Sequence, residues 1–218
     1  MSENFENIEE NNEELSMDMI RLLTIDDFCQ LLSTPAPVPG GGSVSAYVAS
    51  LGAALAGMVA NLTSGKKKYA EYQDEIEDII KAANILRDDL MEGISKDAES
   101  FLPLAGAYSL PANTEEEKRI KEKTLEELLV VAASAPLELI KKIIPAMEIL
   151  ERLTDIGTKL AISDVGTGLL LCDAAATAAA LNVYCNTKLM KNRELANKMD
   201  EEADELLKRS FQIRANNL

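Results

Sequence analysis

Histidine and tryptophan are both absent from the 218 residues, and aromatic side chains of every kind make up only 4%. Without histidine there is no serine–histidine or cysteine–histidine nucleophile pair, and the commonest zinc ligand is missing. The three cysteines, Cys29, Cys172 and Cys185, are odd in number and show no paired metal or redox spacing, so reduced, buried thiols are expected. What remains for chemistry is carboxylates, amines, amides and hydroxyls, with no metal site. Aromatic and β-branched runs are scarce, so a core of Ala, Leu and Ile points to helices and away from strands. Basic residues are also in short supply. Lys and Arg number 22 against 37 Asp and Glu, a net charge of −15, which argues against a nucleic-acid or anionic-membrane partner. No signal-peptide pattern opens the sequence, and a cytoplasmic protein is expected.

What is present is one domain's worth of chain, 47% hydrophobic, with seven of its acids in the first eighteen residues. Residues 1–23 are read as an acidic segment, partly disordered or frayed, and 24–218 as a single helical domain. The domain is organised around Thr34 to Tyr69, which carries no charge before Lys66. Pro35, Pro37 and Pro39 bar helix, Gly40, Gly41 and Gly42 free the backbone, and Ser43 is a candidate N-cap for the helix after them. Free amides at such a start suit an anionic or electron-rich group. The far end delivers Asn61, Gly65 and the run Lys66, Lys67, Lys68. Between them lie almost only small residues, so partner backbones can approach closely. Ser43 to Leu62 has the length of a membrane span, but alanine and serine give little insertion energy and a buried bundle helix is the stronger reading. SGKKKY is not a phosphate-binding loop, since Ala60 stands where the first glycine belongs and Lys67 where the hydroxyl belongs.

Downstream, Thr24 with Asp27 and Thr114 with Glu117 read as helix starts. Ile76, Ile79, Ile80, Ala83, Leu86, Leu90, Ile94 and Phe101 define a long amphipathic helix expected to end before Pro103. Asp97 falls within roughly 20° of Leu86 and Leu90 on its apolar side, and an acid there is either a satisfied structural partner or a catalytic group. Pro136 and Pro145 give a kinked helix or two short ones. Ser163 and Asp164 open a second nearly uncharged helix, expected to pack against the first. Asn182 and Asn186 share one face of it, as cleft-lining carboxamides or an interhelical contact. A charged surface helix spans Glu194 to Ile213. The fold expected is all-α, a single up-and-down bundle of about six to eight helices with long, small-residue-rich central helices.

The block PVPGGGSVSAYVASLGAALAGMVANLTSGKKKY closely resembles the signature of the cyclodeaminase/cyclohydrolase family of folate enzymes. KDAESFLPLAGAYSLP from Lys96, ASAPLELI from Ala133 and SDVGTGLLLCDAAATAAALNVYCNTKL from Ser163 come in that family's order, over about Ile25 to Ala215. The resemblance implies a tetrahydrofolate one-carbon enzyme. It would be a 5-formimidoyltetrahydrofolate cyclodeaminase, or else a 5,10-methenyltetrahydrofolate cyclohydrolase, with a non-catalytic folate binder or scaffold as the reading from another class. It further implies no tightly bound cofactor, a folate substrate, a homodimer and a separate formiminotransferase as a partner. On it Asp97 is assigned as catalytic carboxylate, with Lys66 as proton partner or clamp and Asp164 as second acid. Gly41, Gly42, Ser43, Asn61, Asn182 and Asn186 are assigned to substrate positioning, and Lys67 and Lys68 to the glutamate tail.

Overall fold

A computed structural model describes residues 17–218, and all the regular structure among them is helical. The seven-acid head lies largely in residues 1–16, outside the described residues. From Met17 onward the chain is part of the bundle: α1 (Met17–Ile20) buries Ile20, and α2 (Ile25–Leu32) buries Phe28. Thr24 caps α2 as expected, its hydroxyl accepting from the Asp27 N–H at 3.1 Å.

Four long helices make the body. They are α3 (Gly41–Thr63), α4 (Gln73–Ala107), α5 (Glu115–Ile156) and α6 (Ile162–Thr187), and α7 (Arg193–Asn217) lies over α5 and α6. Each runs antiparallel to the one before, so the bundle is up and down. One 3₁₀ turn at Lys67–Tyr72 leads into α4, and another at Lys159–Ala161 leads into α6. The start of α5 is the capping box read from sequence, with Thr114 and Glu117 each bonding the other's backbone. The prolines correct one expectation and decide between two alternatives. Pro103 does not end α4, which continues to Ala107, and Pro136 and Pro145 both lie inside the single helix α5. A proline in a helix leaves the carbonyl four residues earlier without its donor. For Pro136 that carbonyl is Ala132, and the Asn186 side chain of α6 donates to it at 2.9 Å. Phe101, placed on the buried stripe by spacing, is instead exposed.

The expected pairing of the two nearly uncharged helices is correct: α3 packs against α6 as well as α4. Both are long and apolar enough to cross a membrane by length and composition, and both contribute buried residues to the core. Contact is closest where Gly52 meets Gly168. A Cβ on Gly52 would stand 2.4 Å from Cys172 Sγ and 3.1 Å from the Gly168 carbonyl oxygen. Cys172 is buried there and its thiol pushed up to about 12, whereas Cys29 and Cys185 are exposed, contrary to expectation. Alanine for glycine inside a helix ordinarily gains about 0.5–1 kcal/mol. At Gly52 the sign should reverse, because overpacking of a tight crossing costs about 1–3 kcal/mol. At Gly57 the added Cβ would meet only Ala83 Cβ at 3.6 Å, ordinary contact. Urea denaturation midpoints should therefore fall for Gly52→Ala and hold or rise for Gly57→Ala; a fall in both would remove the close crossing as the reason.

Candidate active site

The first turn of a helix has backbone N–H groups with no partner in the helix itself. In α3 they are not served by a local side chain. The N-cap is Gly40, in extended conformation, and it makes no side-chain cap bond; Ser43, expected as the cap, is already inside the first turn. The carboxylate of Asp97 reaches over from α4 in its place. Asp97 Oδ2 accepts from the Ser43 backbone N–H at 2.8 Å and from the Ser43 hydroxyl at 2.7 Å. Asp97 is therefore an N-terminal cap supplied by another helix. This contact joins the GGGS motif to the one acid on the apolar side of α4.

The approach is close enough to explain a glycine. A Cβ on Gly42 would lie 2.0 Å from Asp97 Oδ1 and 2.5 Å from its Cγ, so no other residue leaves room for the carboxylate. Gly40 has nothing within 4 Å of such an atom, and Gly41 meets only the Asn182 carboxamide at 3.7 Å. Burial pushes the Asp97 carboxyl above the usual carboxylate range, and the two Ser43 bonds pull part of the way back. Gly42 and Asp97 form the inner wall of a cavity of about 410 Å³ between α4 and α5. Gly93, Ser134, Pro136 and Leu139 give it small and apolar sides. Oδ2 is held by Ser43, and Oδ1 makes no hydrogen bond among the described residues. A carboxylate anchored by one oxygen, with a raised proton affinity and a cavity beside it, is equipped to take a proton and return it.

Other residues picked from sequence separate into two groups. Asn182 and Asn186 stand at the Asp97 end, but their amides are engaged: Asn182 donates to Ala178, and Asn186 to Ala132 and Asn182. Asn61, Lys66, Lys67, Lys68 and Asp164 stand at the opposite end of the bundle. The Lys66 ammonium donates to Thr158 at 3.1 Å, Lys68 lies over the Tyr69 ring, and Asn61 donates to Gly57. Because α3 has 23 residues, its two ends are about 34 Å apart.

The formiminotransferase-cyclodeaminase family model matches residues 24–205. The chain belongs to this family. The methenyltetrahydrofolate cyclohydrolase of Methylorubrum extorquens is 38% identical over 184 residues, 84% of this chain and 88% of that protein. The formimidoyltransferase-cyclodeaminase of Rattus norvegicus is 31% identical over 163 residues, 75% of this chain but only 30% of that longer protein. Among solved structures, the formiminotetrahydrofolate cyclodeaminase of Thermotoga maritima superposes with a TM-score of 0.77 at 31% identity, covering 90% of this chain and 96% of that one. The resemblance read from the motif blocks is thus correct.

For this family member the sequence reading missed the α5 wall of the cavity. ASAPLELI marks the segment as a family block, but its spacing singles out no residue of α5 for a site. Nothing local marks Ser134, Leu139 or Lys142 as cavity residues, since their spacing is that of any amphipathic helix. They acquire that position only from the register in which α5 lies on α4.

Proposed function

We propose that the protein is a tetrahydrofolate one-carbon enzyme acting at the carbon between N5 and N10, and that its reaction is cyclodeamination of the 5-formimidoyl compound. The observation that carries this is the Asp97 carboxylate, anchored on Ser43 and facing a cavity through the gap left by Gly42. N10 attacks the formimidoyl carbon and forms a C–N bond, and Asp97 takes the N10 proton. The tetrahedral carbon then carries the amino group; Asp97 returns the proton to it, the C–NH₂ bond breaks, and ammonia leaves. While Asp97 holds the proton the tetrahedral carbon compound is neutral; when the proton leaves with ammonia, the product is the 5,10-methenyl cation and Asp97 is again a carboxylate. The half-buried carboxylate stabilises the positive charge of the amidinium substrate and of the methenyl product.

Cyclohydrolysis is the second reading, favoured by the 38% identity with a cyclohydrolase of nearly the same extent. There water attacks the methenyl carbon and forms a C–O bond while Asp97 takes its proton; Asp97 returns that proton to N5 as the C–N5 bond breaks, and loss of the remaining hydroxyl proton to solvent leaves the 10-formyl compound. Purified protein given each substrate separately decides between them. Growth of methenyl absorbance from 5-formimidoyltetrahydrofolate is expected, and loss of absorbance from the methenyl compound would assign the hydrolase. No change with either substrate would reject both and leave a folate binder or scaffold.

The same reading includes a cytoplasmic homodimer served by a separate formiminotransferase. Leu51, Met58 and Leu62 on α3 and Leu170 and Leu181 on α6 are exposed. Leu51 and Met58 are seven residues apart and Leu170 and Leu181 eleven, so each set runs along one side of its helix. Two neighbouring antiparallel helices with apolar outer sides form a face that a two-fold axis can pair with itself. With that axis perpendicular to the helices, the lysine end of one protomer stands beside the Gly41 end of its partner. This is the route by which Asn61, Lys66 and Asp164 would join a site with Asp97. Light scattering should give a dimer at micromolar concentration and a monomer for the double variant Met58→Glu, Leu181→Glu; a monomeric, fully active parent protein would reject the shared site.

A further inference from the structure

The cavity at Asp97 is lined by more acid than base, which suits an amidinium but not the carboxylates of a folate's glutamate arm. Two cations line it, Lys96 and Lys142. Lys96 turns back one turn along α4 to Glu92, at 3.2 Å. On α5 the neighbouring Lys141 is held by Glu138 and Glu202, both at 2.8 Å, and is not among the lining residues. Lys142 differs from both. Its ammonium lies 3.8 Å from Asp89, an ion pair beyond hydrogen-bond reach, and it makes no hydrogen bond or second ion pair among the described residues. Its three donors are therefore available inside a cavity wall.

The register of α5 on α4 sets its distance from the chemistry. Leu139 lies over Gly93, where a Cβ would come within 3.3 Å of Leu139 Cδ1, and Lys142 lies beside Asp89. The helices are antiparallel, so Asp97 stands level with Ala135 and Pro136. Asp89 and Asp97 are eight residues apart, which is about 12 Å along the axis. An aminobenzoyl-glutamate arm extending from N10 spans a separation of this order. Between the two charged positions the wall is Gly93, Pro136 and Leu139, flat and apolar enough for the aromatic ring. Lys67 and Lys68, to which the sequence assigned the arm, are at the other end of α3.

We propose that Lys142 is the residue that reads the glutamate carboxylate of the substrate, holding the arm along the α4–α5 groove while the one-carbon centre sits at Asp97. The inference rests on the folate reading of the site. Asp89 competes with the arm for the ammonium and keeps Lys142 in place when the cavity is empty.

The test compares two substrates of the full-length protein, one with the glutamate arm and one tetrahydropteroate analogue without it, by methenyl absorbance. The parent protein should favour the glutamate-bearing substrate in KM. In Lys142→Gln that preference should fall about 10- to 100-fold, the scale of one charge-assisted hydrogen bond, and Lys142→Arg should restore most of it. Asp89→Asn should lower KM for the glutamate-bearing substrate. Salt should weaken the preference in the parent and have little effect on it in Lys142→Gln. Equal changes on both substrates, or a preference abolished by Lys67→Ala with Lys68→Ala but kept in Lys142→Gln, would overturn the assignment. A parent protein that turns over glutamate-bearing folates in neither direction would remove the folate reading itself, and the inference with it.

Discussion

Asp97→Asn is expected to lower turnover by about 10²- to 10⁴-fold, the usual contribution of one positioned acid–base group, while the protein stays folded. Asparagine has the same shape, and its amide oxygen can still accept from the Ser43 N–H and hydroxyl that hold the carboxylate in the parent. It can neither take a proton from N10 nor neutralise the amidinium. The stability of the variant has a defined sign. Burial raises the folded-state pKa of Asp97 above its ordinary value. The folded state therefore binds this proton more tightly than the unfolded chain does. The stabilisation this confers is fully present below the unfolded pKa and is lost as pH rises through the folded one. At neutral pH the parent carries a partly desolvated carboxylate that the variant lacks. Melting temperatures measured from pH 4 to 8 should thus show Asp97→Asn gaining on the parent as pH rises. Turnover of the parent should increase through the same window. An unchanged rate together with a lower melting temperature at neutral pH would make Asp97 a structural cap and nothing more.

Gly42→Ala should be nearly as damaging, through position and not through proton chemistry. The added methyl would occupy the place of Asp97 Oδ1, 2.0 Å away, so the carboxylate must rotate off Ser43. Displacement of a reacting group by about 1 Å is enough to lose about 10²-fold in rate, and here the anchoring bonds are lost as well. The prediction is a fall in kcat of about that size, with helical circular dichroism retained. Gly40→Ala is the control, because an added Cβ there meets nothing within 4 Å and the backbone is already extended. Loss of activity in Gly40→Ala equal to that in Gly42→Ala would mean that the loop needs glycine for flexibility, and the carboxylate seat would not be the reason.

These two variants also mark how far the sequence could be read. Asp97 was legible because helical periodicity is strict: an acid seven residues from the buried Leu90 and eleven from the partly buried Leu86 lies on the side of the helix that meets the core. The GGGS motif was legible as a helix start, but its function was not. Ser43 reads equally well as an N-cap, and only the extended Gly40 and the reach of Asp97 show that the capping group comes from another helix. Asn186 was seen as a carboxamide facing either a cleft or a neighbour. The carbonyl freed by Pro136 decided for the neighbour, a pairing between residues 132 and 186 that no local pattern encodes. The lysine run is conspicuous in an acidic chain, but within one protomer α3 holds it a helix length from the acid, and only a partner protomer could bring the two together.

Composition and periodicity alone determined that this chain is helical, that two small-residue helices lie in contact, and that one inward-facing acid requires an explanation. These are local or averaged properties, set by backbone propensity and by which side of a helix a residue occupies. Its motif blocks in their order determined the family. Tertiary structure decided which polar residues meet. An up-and-down bundle brings together the start of one helix and the far half of the next, so Gly42, Ser43 and Asp97 become one site while Lys67 and Lys68 are carried to the other end. It also decided the register of α5 on α4, and with it the cavity wall and Lys142. Register is fixed by the packing of whole helix faces, a sum over many weak contacts that no single stretch of sequence contains.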